Sequence, residues 1–339
     1  MSAIPRVSAV VLAWKAEPWL RRCVESLLGS EKVAVDVMLV DNGCTTDDVA
    51  VLEQLPGVSV VRPGTNLGFA GGCNAGAAVA TGQYLALVNG DAVVEPGTLS
   101  RLVEEAARPE VGIAGASVRL AEDPRLINAG ANPLHILGLS WSGRMGEVET
   151  GVDPVPTAVA SGACLVVRRA LWQRLGGFDD AYFAYHEDVE LSTRMWRTGR
   201  QVLYVPDAIA VHRYEFSRNA FKLYLIERNR LMFVLTVWST RALLVLAPLL
   251  LALEAAMLAL AVRQGWAREK VRGWRWLWEN RRHLRNRRRQ LAAERTVPER
   301  EWMAVLTDRL DTTAVALPAG TGLLNALVHA YWSAARRAV

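Results

Sequence analysis

Three short acidic clusters, in a fixed order along the chain, constrain its fold more than any other feature. They are Asp41-Asn42-Gly43, Asn89-Gly90-Asp91 and His186-Glu187-Asp188. Each of the first two comes at the end of an apolar run of the kind that forms a buried parallel strand. Open α/β sheets bind their ligands at the carboxyl ends of such strands, so both clusters are expected at one functional edge.

Short apolar runs alternate with helical patterns through the first half of the chain. The predicted strands are Val7–Ala13, Val35–Val40, Val58–Val61 and Tyr84–Val88. The predicted helices are Glu17–Leu28, a helix that begins at the cap residues Thr45–Asp48 and runs through Leu55, and Gly72–Ala80, which is rich in small residues. This alternation with short connections predicts an α/β fold with a mostly parallel central sheet covered by helices on both faces.

The pattern is looser between residues 111 and 212. Strands are predicted at Gly112–Leu120 and Ala158–Val167, and the glycine- and proline-rich stretch Asn128–Pro156 between them is interpreted as loops that shape an acceptor cleft. A helix over Glu187–Arg197, ended by Gly199, precedes strands predicted at Gln201–Val205 and Ile209–Val211.

Cysteine spacing and charge bound the class of protein. The four cysteines include no Cys-x-x-Cys pair, which argues against a disulfide framework or zinc knuckle and favours a reducing cytosol. No apolar run begins at the N-terminus, so no secretory signal is predicted. Residues 1–230 carry 22 Lys/Arg against 26 Asp/Glu, whereas residues 231–339 carry 17 against 8. The basic C-terminal third predicts a polyanionic partner, either nucleic acid or an anionic membrane.

The composition changes after Arg230, which predicts a domain over residues 1–230 and a helical, membrane-associating region over 231–339. Leu231–Val262 is almost entirely apolar, and residues 263–289 then carry 11 Lys/Arg and four Trp, as at a membrane interface. Pro248 would divide the apolar stretch into two pieces too short to span a bilayer. We therefore expect a bent, interfacial hairpin; a buried helix pair or a dimer interface is the alternative, and the oligomeric state, a homo-oligomer included, stays open.

Each polar cluster has a functional and a structural interpretation. Asp41 could accept hydrogen bonds from a nucleobase or ribose, or could simply form an Asn-Gly turn. The glycine-rich segment Asn66–Gly76 could admit a diphosphate or sugar near backbone N–H groups, or could serve tight helix packing. Asp91 could hold a divalent cation or lie in a polar turn. Glu187 and Asp188 could supply a general base or cap a helix N-terminus.

Taken together, these motifs resemble glycosyltransferase family 2, the inverting nucleotide-sugar transferases with a GT-A fold, and especially its bacterial rhamnosyltransferase-like branch. The resemblance runs from about Val7 to His212. It implies that Asp188 is the general base with Glu187 beside it, that Asp91 and His212 bind the metal, and that Gly177, Phe178 and His186 face the acceptor. It also implies a set of donor-binding positions, namely Ala13, Trp14, Asp41, Asn42, Asn66, Gly68, Phe69, Asn74, Asn89 and Gly90.

Two positions depart from the family pattern: Lys15 follows Trp14 where the family often has Asn, and Asn89 replaces the first Asp of the metal motif. The resemblance implies transfer from a nucleoside-diphosphate sugar, with dTDP-rhamnose the best candidate, to a lipid-linked or envelope-glycan acceptor at the cytoplasmic membrane face, with Mg²⁺ or Mn²⁺ as cofactor and no nucleic-acid partner. The alternatives are a catalytically silent nucleotide-sugar-binding scaffold and a basic nucleic-acid-binding protein.

Overall fold

The computed structural model describes residues 4–213, 219–311 and 321–338. Contacts between Cα atoms divide these residues into two compact units. The first contains residues 4–132, 142–196 and 200–213, and the second contains 133–141, 197–199, 219–311 and 321–338. The division at residues 230/231 stays a prediction, and that position lies inside one helix of the second unit, Ala220–Val237.

The first unit is an α/β domain of ten strands and six helices within the described residues. Its strands are β1 (Arg6–Lys15), β2 (Ala34–Cys44), β3 (Val58–Val61), β4 (Tyr84–Val88), β5 (Ala92–Val94), β6 (Val111–Leu120), β7 (Ile127–Ala129), β8 (Val155–Pro156), β9 (Cys164–Arg168) and β10 (Gln201–His212). Its helices are α1 (Leu20–Leu28), α2 (Asp48–Leu52), α3 (Gly68–Val79), α4 (Thr98–Ala107), α5 (Arg169–Leu175) and α6 (Glu187–Arg197), with a 3₁₀ turn at Asp180–Tyr182.

All ten strands join one sheet, whose main path runs β3-β2-β1-β4-β9-β6-β10-β5. Strands β3, β2, β1 and β4 are parallel to one another, and β6 and β10 are parallel to each other. Strand β9 is antiparallel to both β4 and β6, and β5, β7 and β8 are antiparallel edge additions. The sheet is therefore mixed: four of the seven pairings on its main path are parallel, and the antiparallel return of β9 between two strands that run the same way was not predicted.

Several element boundaries also differ from the prediction. The helix predicted from Gly72 begins at Gly68, and the strand predicted over Ala158–Val167 begins only at Cys164. The two strands predicted after Gly199 are one strand, β10, whose register with β6 shifts between Val205 and Ile209. Pro206 lies in that interval and has no N–H to donate, so the ladder is irregular while the strand continues.

The core of the first unit lies between the sheet and its helices. Residues of β1 such as Val7, Ala9 and Val11 are fully buried together with Leu20, Val24 and Leu27 of α1. Helix α1 buries every third or fourth residue, as its apolar spacing predicts.

The second unit is helical in the part of the chain that the structure describes. Its helices are α7 (Ala220–Val237), α8 (Thr240–Gln264), α9 (Ala267–Glu279), α10 (Arg281–Glu294), α11 (Glu299–Trp302) and α12 (Thr321–Ala335), with 3₁₀ turns at Met303–Val305 and Arg336–Ala338.

The predicted division of the apolar stretch at Pro248 is wrong, because α8 is one helix of 25 residues that includes this proline. The apolar stretch is interrupted instead at Trp238 and Ser239, where Trp238 is extended and the Ser239 side chain accepts a hydrogen bond from the Ala242 N–H. A proline removes one hydrogen bond, which the flanking turns of a long helix tolerate, whereas the serine cap sets a definite start. By length and composition α8 is the one described helix that could cross a membrane.

Candidate active site

The carboxyl ends of β1, β2 and β4 lie side by side and gather the first two acidic clusters. Ala13 of β1 is the register partner of Asp41 of β2, and Val11 is the partner of Val88 of β4. Strand β9 enters this edge in the opposite direction, so that Val88 pairs with Cys164. The antiparallel return adds the residues before Cys164 to the same edge, which the sequence alone did not predict.

Asp41 and Asn42 form the β2 side of this edge. Asp41 Oδ1 accepts hydrogen bonds from the backbone N–H groups of Gly43 at 3.3 Å and Cys44 at 3.1 Å, so the turn interpretation is satisfied. The second Asp41 oxygen has no role in those bonds, and the residue is half-buried. Asn42 is buried, and its side-chain amide makes two hydrogen bonds to the glycine-rich segment. Its Oδ1 accepts from the Leu67 N–H at 2.8 Å, and its Nδ2 donates to the Gly68 carbonyl at 3.0 Å.

The glycines of α3 serve close packing and a sharp entry into the helix. A Cβ atom at Gly72 would lie 2.6 Å from Leu12, and one at Gly76 would lie 2.5 Å from Val10, so the helix lies directly on β1. Gly68 has a φ of +70° and a Cβ there would overlap the carbonyl oxygen of Phe183. Asn66 caps this start, since its Oδ1 accepts from the Gly68 N–H at 2.8 Å.

Asn74 of α3 holds the loop that follows α5. Its side-chain Nδ2 donates to the Phe178 carbonyl at 3.0 Å and to Asp180 Oδ1 at 2.6 Å, while its Oδ1 accepts from the Phe178 N–H at 3.0 Å. Gly177 has a φ of +67° and leaves no room for a Cβ beside Asn74. These bonds lie on the predicted acceptor-side loop, and the donor-binding role of Asn74 stays a prediction.

Phe178 contributes an aromatic cluster next to this loop. Its ring lies 6.1 Å from the ring of Phe69 and 4.9 Å from that of Trp172, between centroids. Phe69 in turn lies within 3.5 Å of a Cβ built at Gly162. The predicted donor residue Phe69 and the predicted acceptor residue Phe178 are thus neighbours.

Asp91 and His212 meet across the sheet, as their predicted shared role requires. His212 Nε2 lies 3.1 Å from Asp91 Oδ1 and 3.4 Å from Asn89 Nδ2. His212 Nδ1 lies 2.9 Å from Oδ1 of the buried Asn128, so an Nδ1–H tautomer would leave Nε2 facing Asp91. Their closeness follows from β10, because His212 pairs with Ala92 of β5 directly after Asp91.

These two side chains fit a divalent cation as a partial ligand set. A carboxylate oxygen and an imidazole nitrogen on facing sides of one space suit Mn²⁺ or Mg²⁺. Across residues 4–213, 219–311 and 321–338, no cluster of three His, Cys, Asp or Glu side chains could hold a metal. Asp91 and His212 would therefore supply two ligands, and the remaining positions would fall to a substrate diphosphate and water.

Glu187 and Asp188 begin α6 in very different surroundings. Asp188 Oδ2 accepts a hydrogen bond from the Gly162 N–H at 3.0 Å, and its Oδ1 accepts from the Val189 N–H at 2.8 Å. Glu187 is buried, and its Oε2 has no hydrogen-bond partner among the described residues. The carboxyl groups of Glu187 and Asp188 therefore differ in the number of backbone N–H groups that donate hydrogen bonds to them.

This difference separates the proton affinities of the pair. Burial raises the pKa of Glu187 well above its ordinary value, and the adjacent Asp188 charge adds to that rise. Burial also raises the pKa of Asp188, but the N–H groups of Gly162 and Val189 oppose the rise. The hydrogen bonds from Gly162 and Val189 thus support the anionic form of Asp188, whereas burial favours the neutral form of Glu187.

The turn before α6 has a strained backbone. Phe183, Tyr185 and His186 have φ values of 64°, 70° and 72°, in the left-handed region that residues with side chains rarely adopt. The Phe183 carbonyl accepts from the Ala70 N–H at 3.0 Å, and the His186 carbonyl accepts from the Glu190 N–H at 2.9 Å. His186 is buried, and its acceptor-side role stays a prediction.

Replacing Glu187 with glutamine is expected to stabilise the protein at neutral and higher pH. The raised pKa means that the neutral Glu187 contributes stability at low pH, which is lost as pH rises through the folded-state pKa. Glutamine keeps the neutral shape at every pH, so the variant should gain at least about 1 kcal/mol near pH 8 and little near pH 4. Urea unfolding at both pH values measures this, with the exposed Glu104→Gln as control; an equal gain at both pH values would contradict it.

Three residues that support the site were missed by sequence reasoning. Arg194 is fully buried, pairs with Glu190 at 2.8 Å and donates to the carbonyls of Leu175 and Gly177, which fixes α6 to the acceptor-side loop. Asn128 and Gly162 orient His212 and Asp188. The i, i+4 spacing of Glu190 and Arg194 was an available signal, whereas Asn128 lies in a predicted loop and Gly162 in a predicted strand, and neither position indicated its partner.

The remaining donor-site predictions lie at the β1 end of the edge. Ala13 is buried, and Trp14 is 50% exposed with the Lys15 ammonium 4.3 Å from the centroid of its ring. Gly90 lies against β1, because a Cβ there would be 2.8 Å from the Leu12 carbonyl oxygen. Trp14 is near Gly43, whose added Cβ would lie 3.8 Å from the indole ring.

Two solved structures share this fold. A crystal structure of GalNAc-T7 with UDP, GalNAc and Mn²⁺ superimposes with a TM-score of 0.59 at 17% identity, over 71% of this chain and 49% of that one. The mannosyltransferase PcManGT from Pyrobaculum calidifontis, in complex with GDP-Man and Mn²⁺, superimposes with a TM-score of 0.53 at 19% identity, over 86% of both chains. This chain spans about half the length of the GalNAc-T7 chain.

The fold and its polar edge define a GT-A-like α/β glycosyltransferase with a mixed sheet. The chain belongs to glycosyltransferase-like family 2, whose model matches residues 5–233. A rhamnosyltransferase from Mycobacterium tuberculosis strain H37Rv, N-acetylglucosaminyl-diphospho-decaprenol L-rhamnosyltransferase, is 31% identical over 60% of this chain and 74% of its own length. O-antigen biosynthesis protein RfbC from Myxococcus xanthus is 29% identical over 64% of this chain and 18% of its own length. The predicted family and enzyme class are confirmed.

Proposed function

We propose that the protein is an inverting glycosyltransferase that moves a sugar, with rhamnose from dTDP-rhamnose the best candidate, to a hydroxyl of a lipid-diphosphate-linked acceptor at the cytoplasmic membrane face. The observation that carries this proposal is the pairing of Asp188 with the N–H groups of Gly162 and Val189 at the sheet edge that also holds Asp91 and His212. The similarity to a rhamnosyltransferase whose name specifies a diphospho-decaprenol acceptor supports the choice of substrates.

The reaction follows from one proton transfer and one displacement. Asp188 takes the proton of the acceptor hydroxyl, whose oxygen then forms a bond to the anomeric carbon of the donor sugar. The bond between that carbon and the diphosphate oxygen breaks, and the nucleoside diphosphate leaves with the electron pair. Because attack and departure occur on opposite faces of the carbon, the anomeric configuration inverts without a covalent enzyme intermediate.

The other residues bind and orient the substrates in this proposal. Asp91 and His212 would hold a divalent cation, which when bound supplies positive charge for the departing diphosphate. Asp41 would accept a hydrogen bond from the donor base or ribose, and Asn42 would keep the glycine-rich segment in place beneath it. The Asn74–Phe178 contacts would fix the loop on the acceptor side.

A panel of nucleotide sugars tests the proposal, with released nucleoside diphosphate and labelled product as the readouts. Transfer from dTDP-rhamnose to a polyprenyl-diphosphate-linked N-acetylglucosamine acceptor is the expected result. Donor binding without transfer or hydrolysis would favour a silent scaffold. Salt-sensitive binding to oligonucleotides without any donor use would favour the nucleic-acid-binding alternative.

Asp41→Ala is expected to weaken nucleoside diphosphate binding. Removing a carboxylate that accepts a hydrogen bond from the base or ribose costs about 1–3 kcal/mol of binding free energy. This corresponds to roughly 5- to 150-fold in Kd. Isothermal titration calorimetry with the diphosphate measures the change, and Asp47→Ala, a neighbouring exposed aspartate, is the control. An unchanged affinity would leave Asp41 with its turn role alone.

A further inference from the structure

Helix α8 exposes a long apolar face that nothing within the described residues of the second unit covers. Only Ala242, Leu246 and Ala261 of its residues are buried. Leu244, Leu251 and Val262 are 72%, 71% and 64% exposed and fall on one face, because they are separated by seven and eleven residues. A face this apolar and this long is unusual for a surface that meets only water.

Helix α12 contacts α8 and also exposes large apolar side chains. Its Tyr331 hydroxyl donates to the Val245 carbonyl of α8 at 2.5 Å, which places the two helices together. Val328 and Trp332 are buried, whereas Leu323, Leu324 and Leu327 are 69%, 49% and 61% exposed. We call the six exposed residues of the two helices the apolar face, namely Leu244, Leu251, Val262, Leu323, Leu324 and Leu327.

Glu254, near the middle of α8, lies on the flank of the helix three residues after Leu251, where it belongs to a largely buried charge cluster. The Lys270 ammonium lies 2.9 Å from Glu254 Oε2 and 2.5 Å from Glu227 Oε2. Arg230 pairs with Glu254 and lies 3.5 Å from Glu227, and the Trp274 indole N–H donates to Glu254 at 3.0 Å. We call Glu227, Arg230, Glu254 and Lys270 the four-charge cluster; its formal charges cancel.

The four-charge cluster keeps Glu254 ionised and fixed to helices α7 and α9. Burial alone would raise the pKa of Glu254, but Arg230 and Lys270 outweigh burial and hold that pKa below its ordinary value. Lys270 and Arg230 are almost fully buried, so removing either partner would leave an uncompensated charge. Helix α8 is therefore bound through its centre to two helices that are rich in charged residues.

The ion pairs of Glu254 limit how α8 can be oriented in a bilayer. At 25 residues the helix is about 38 Å long, enough to cross a hydrocarbon core of about 30 Å. If α8 crossed the bilayer, Glu254 would lie at the bilayer centre. It would be there either as an unpaired charge or together with the charged ends of Arg230 and Lys270, and both arrangements are unfavourable in lipid. Lying flat keeps the cluster intact and places only the apolar face in lipid.

The neighbouring helices add the charge that an anionic bilayer attracts. Exposed arginines of α9 and α10 are Arg268, Arg272, Arg275, Arg281, Arg282, Arg285 and Arg289. Trp278 is 71% exposed with the Arg281 guanidinium 5.1 Å from its ring centroid, an arrangement typical of headgroup depth. An apolar face next to basic helices fits an anionic lipid surface better than a second copy, whose matching arginines would repel.

We propose that the apolar face of α8 and α12 lies in the plane of an anionic bilayer, and that the four-charge cluster prevents α8 from crossing it. The proposal deepens the membrane location given under the proposed function. Its tests need no glycosyl transfer, so failure of the docking surface and failure of the proposed reaction are distinguishable.

Vesicle binding tests the surface. The full chain is expected to bind phosphatidylglycerol vesicles at least about tenfold more tightly than phosphatidylcholine vesicles. Leu244→Gln with Leu251→Gln should weaken binding to the anionic vesicles by about tenfold or more, and the exposed Val51→Gln of the first unit should not. Unchanged binding of the double variant would overturn the proposal, as would a stable dimer without vesicle binding that the same variant dissociates.

Cysteine labelling in intact cells tests the orientation. With Cys44 replaced by serine, Glu104→Cys and Gln264→Cys report on the first unit and on the end of α8, since the other cysteines are buried. An impermeant maleimide should label neither position in intact cells and both after permeabilisation. Labelling of position 264 alone in intact cells would show that α8 crosses and would overturn the proposal.

A charge-neutral variant tests the four-charge cluster. Glu254→Leu with Lys270→Leu removes one charge of each sign and leaves Glu227 beside Arg230, so no net charge is added. Without Glu254, a measurable fraction of chains should expose position 264 to the impermeant reagent in intact cells. Glu254→Gln with Lys270→Gln, which keeps the helix centre polar, should retain the shielded arrangement. If both double variants remain fully shielded, the cluster does not set the orientation.

Discussion

Asp188→Asn is expected to lower glycosyl transfer by about two to four orders of magnitude while donor binding stays nearly unchanged. The amide keeps the size of the carboxylate and one acceptor oxygen, so it can retain the hydrogen bond from either the Gly162 or the Val189 N–H group while the other bond is lost. It cannot take the proton of an acceptor hydroxyl, however. Single-turnover transfer and calorimetry with the nucleoside diphosphate separate the loss of the base from a loss of binding.

Glu187→Gln is the matched control for this experiment. Burial raises the pKa of Glu187 well above its ordinary value and so favours the neutral form, whose shape glutamine reproduces. We expect this variant to transfer within about tenfold of the parent rate, since it removes no proton acceptor. Normal transfer by Asp188→Asn together with a large loss in Glu187→Gln would assign the base to the other carboxyl group.

Asp91→Ala is expected to lower transfer by about two to three orders of magnitude, and a chelator should do the same to the unchanged protein. Asp91 supplies a carboxylate beside His212 Nε2, and its replacement would remove one of the two ligands that these described residues offer to a divalent cation. Added Mn²⁺ should tighten nucleoside diphosphate binding by the unchanged protein and have little effect on the variant. Calorimetry with and without Mn²⁺ measures this independently of activity.

Asp153→Ala, an exposed aspartate of the same unit, controls for removal of a negative charge. It should leave both the rate and the effect of Mn²⁺ unchanged. Full transfer by the unchanged protein in the presence of chelator would contradict a role for Asp91 and His212 in metal binding. Stabilisation of the leaving group would then fall to basic side chains.

Local patterns determined much of the first unit. The parallel strands β1, β2, β3 and β4 were predicted close to their observed bounds because each is a short apolar run between turn residues. The range of α6 was predicted fully, since acidic residues mark its first turn and Gly199 follows its end. Because parallel strands end at a common edge, the positions of Asp41 and Asp91 followed from the sequence as well.

Tertiary structure decided how the site is completed. His212 reaches Asp91 across 121 residues and Gly162 reaches Asp188 across 26, contacts that depend on where β9 and β10 enter the sheet. Strand direction and register between distant segments are set by packing of whole elements, which a local pattern does not encode. The separation of Glu187 from Asp188 in proton affinity has the same origin, because it depends on which backbone N–H groups arrive from β9.

The second unit shows the same division. The sequence by itself determined that residues 231–289 are apolar and then basic, because composition needs no partner. It did not determine that α8 continues through Pro248, since the cost of one lost hydrogen bond is decided by the turns around it. Nor did it determine the partners of Glu254. This residue interrupts an apolar run in the sequence, but in the fold its charge is balanced by Arg230 from the helix before α8 and by Lys270 from the helix after it.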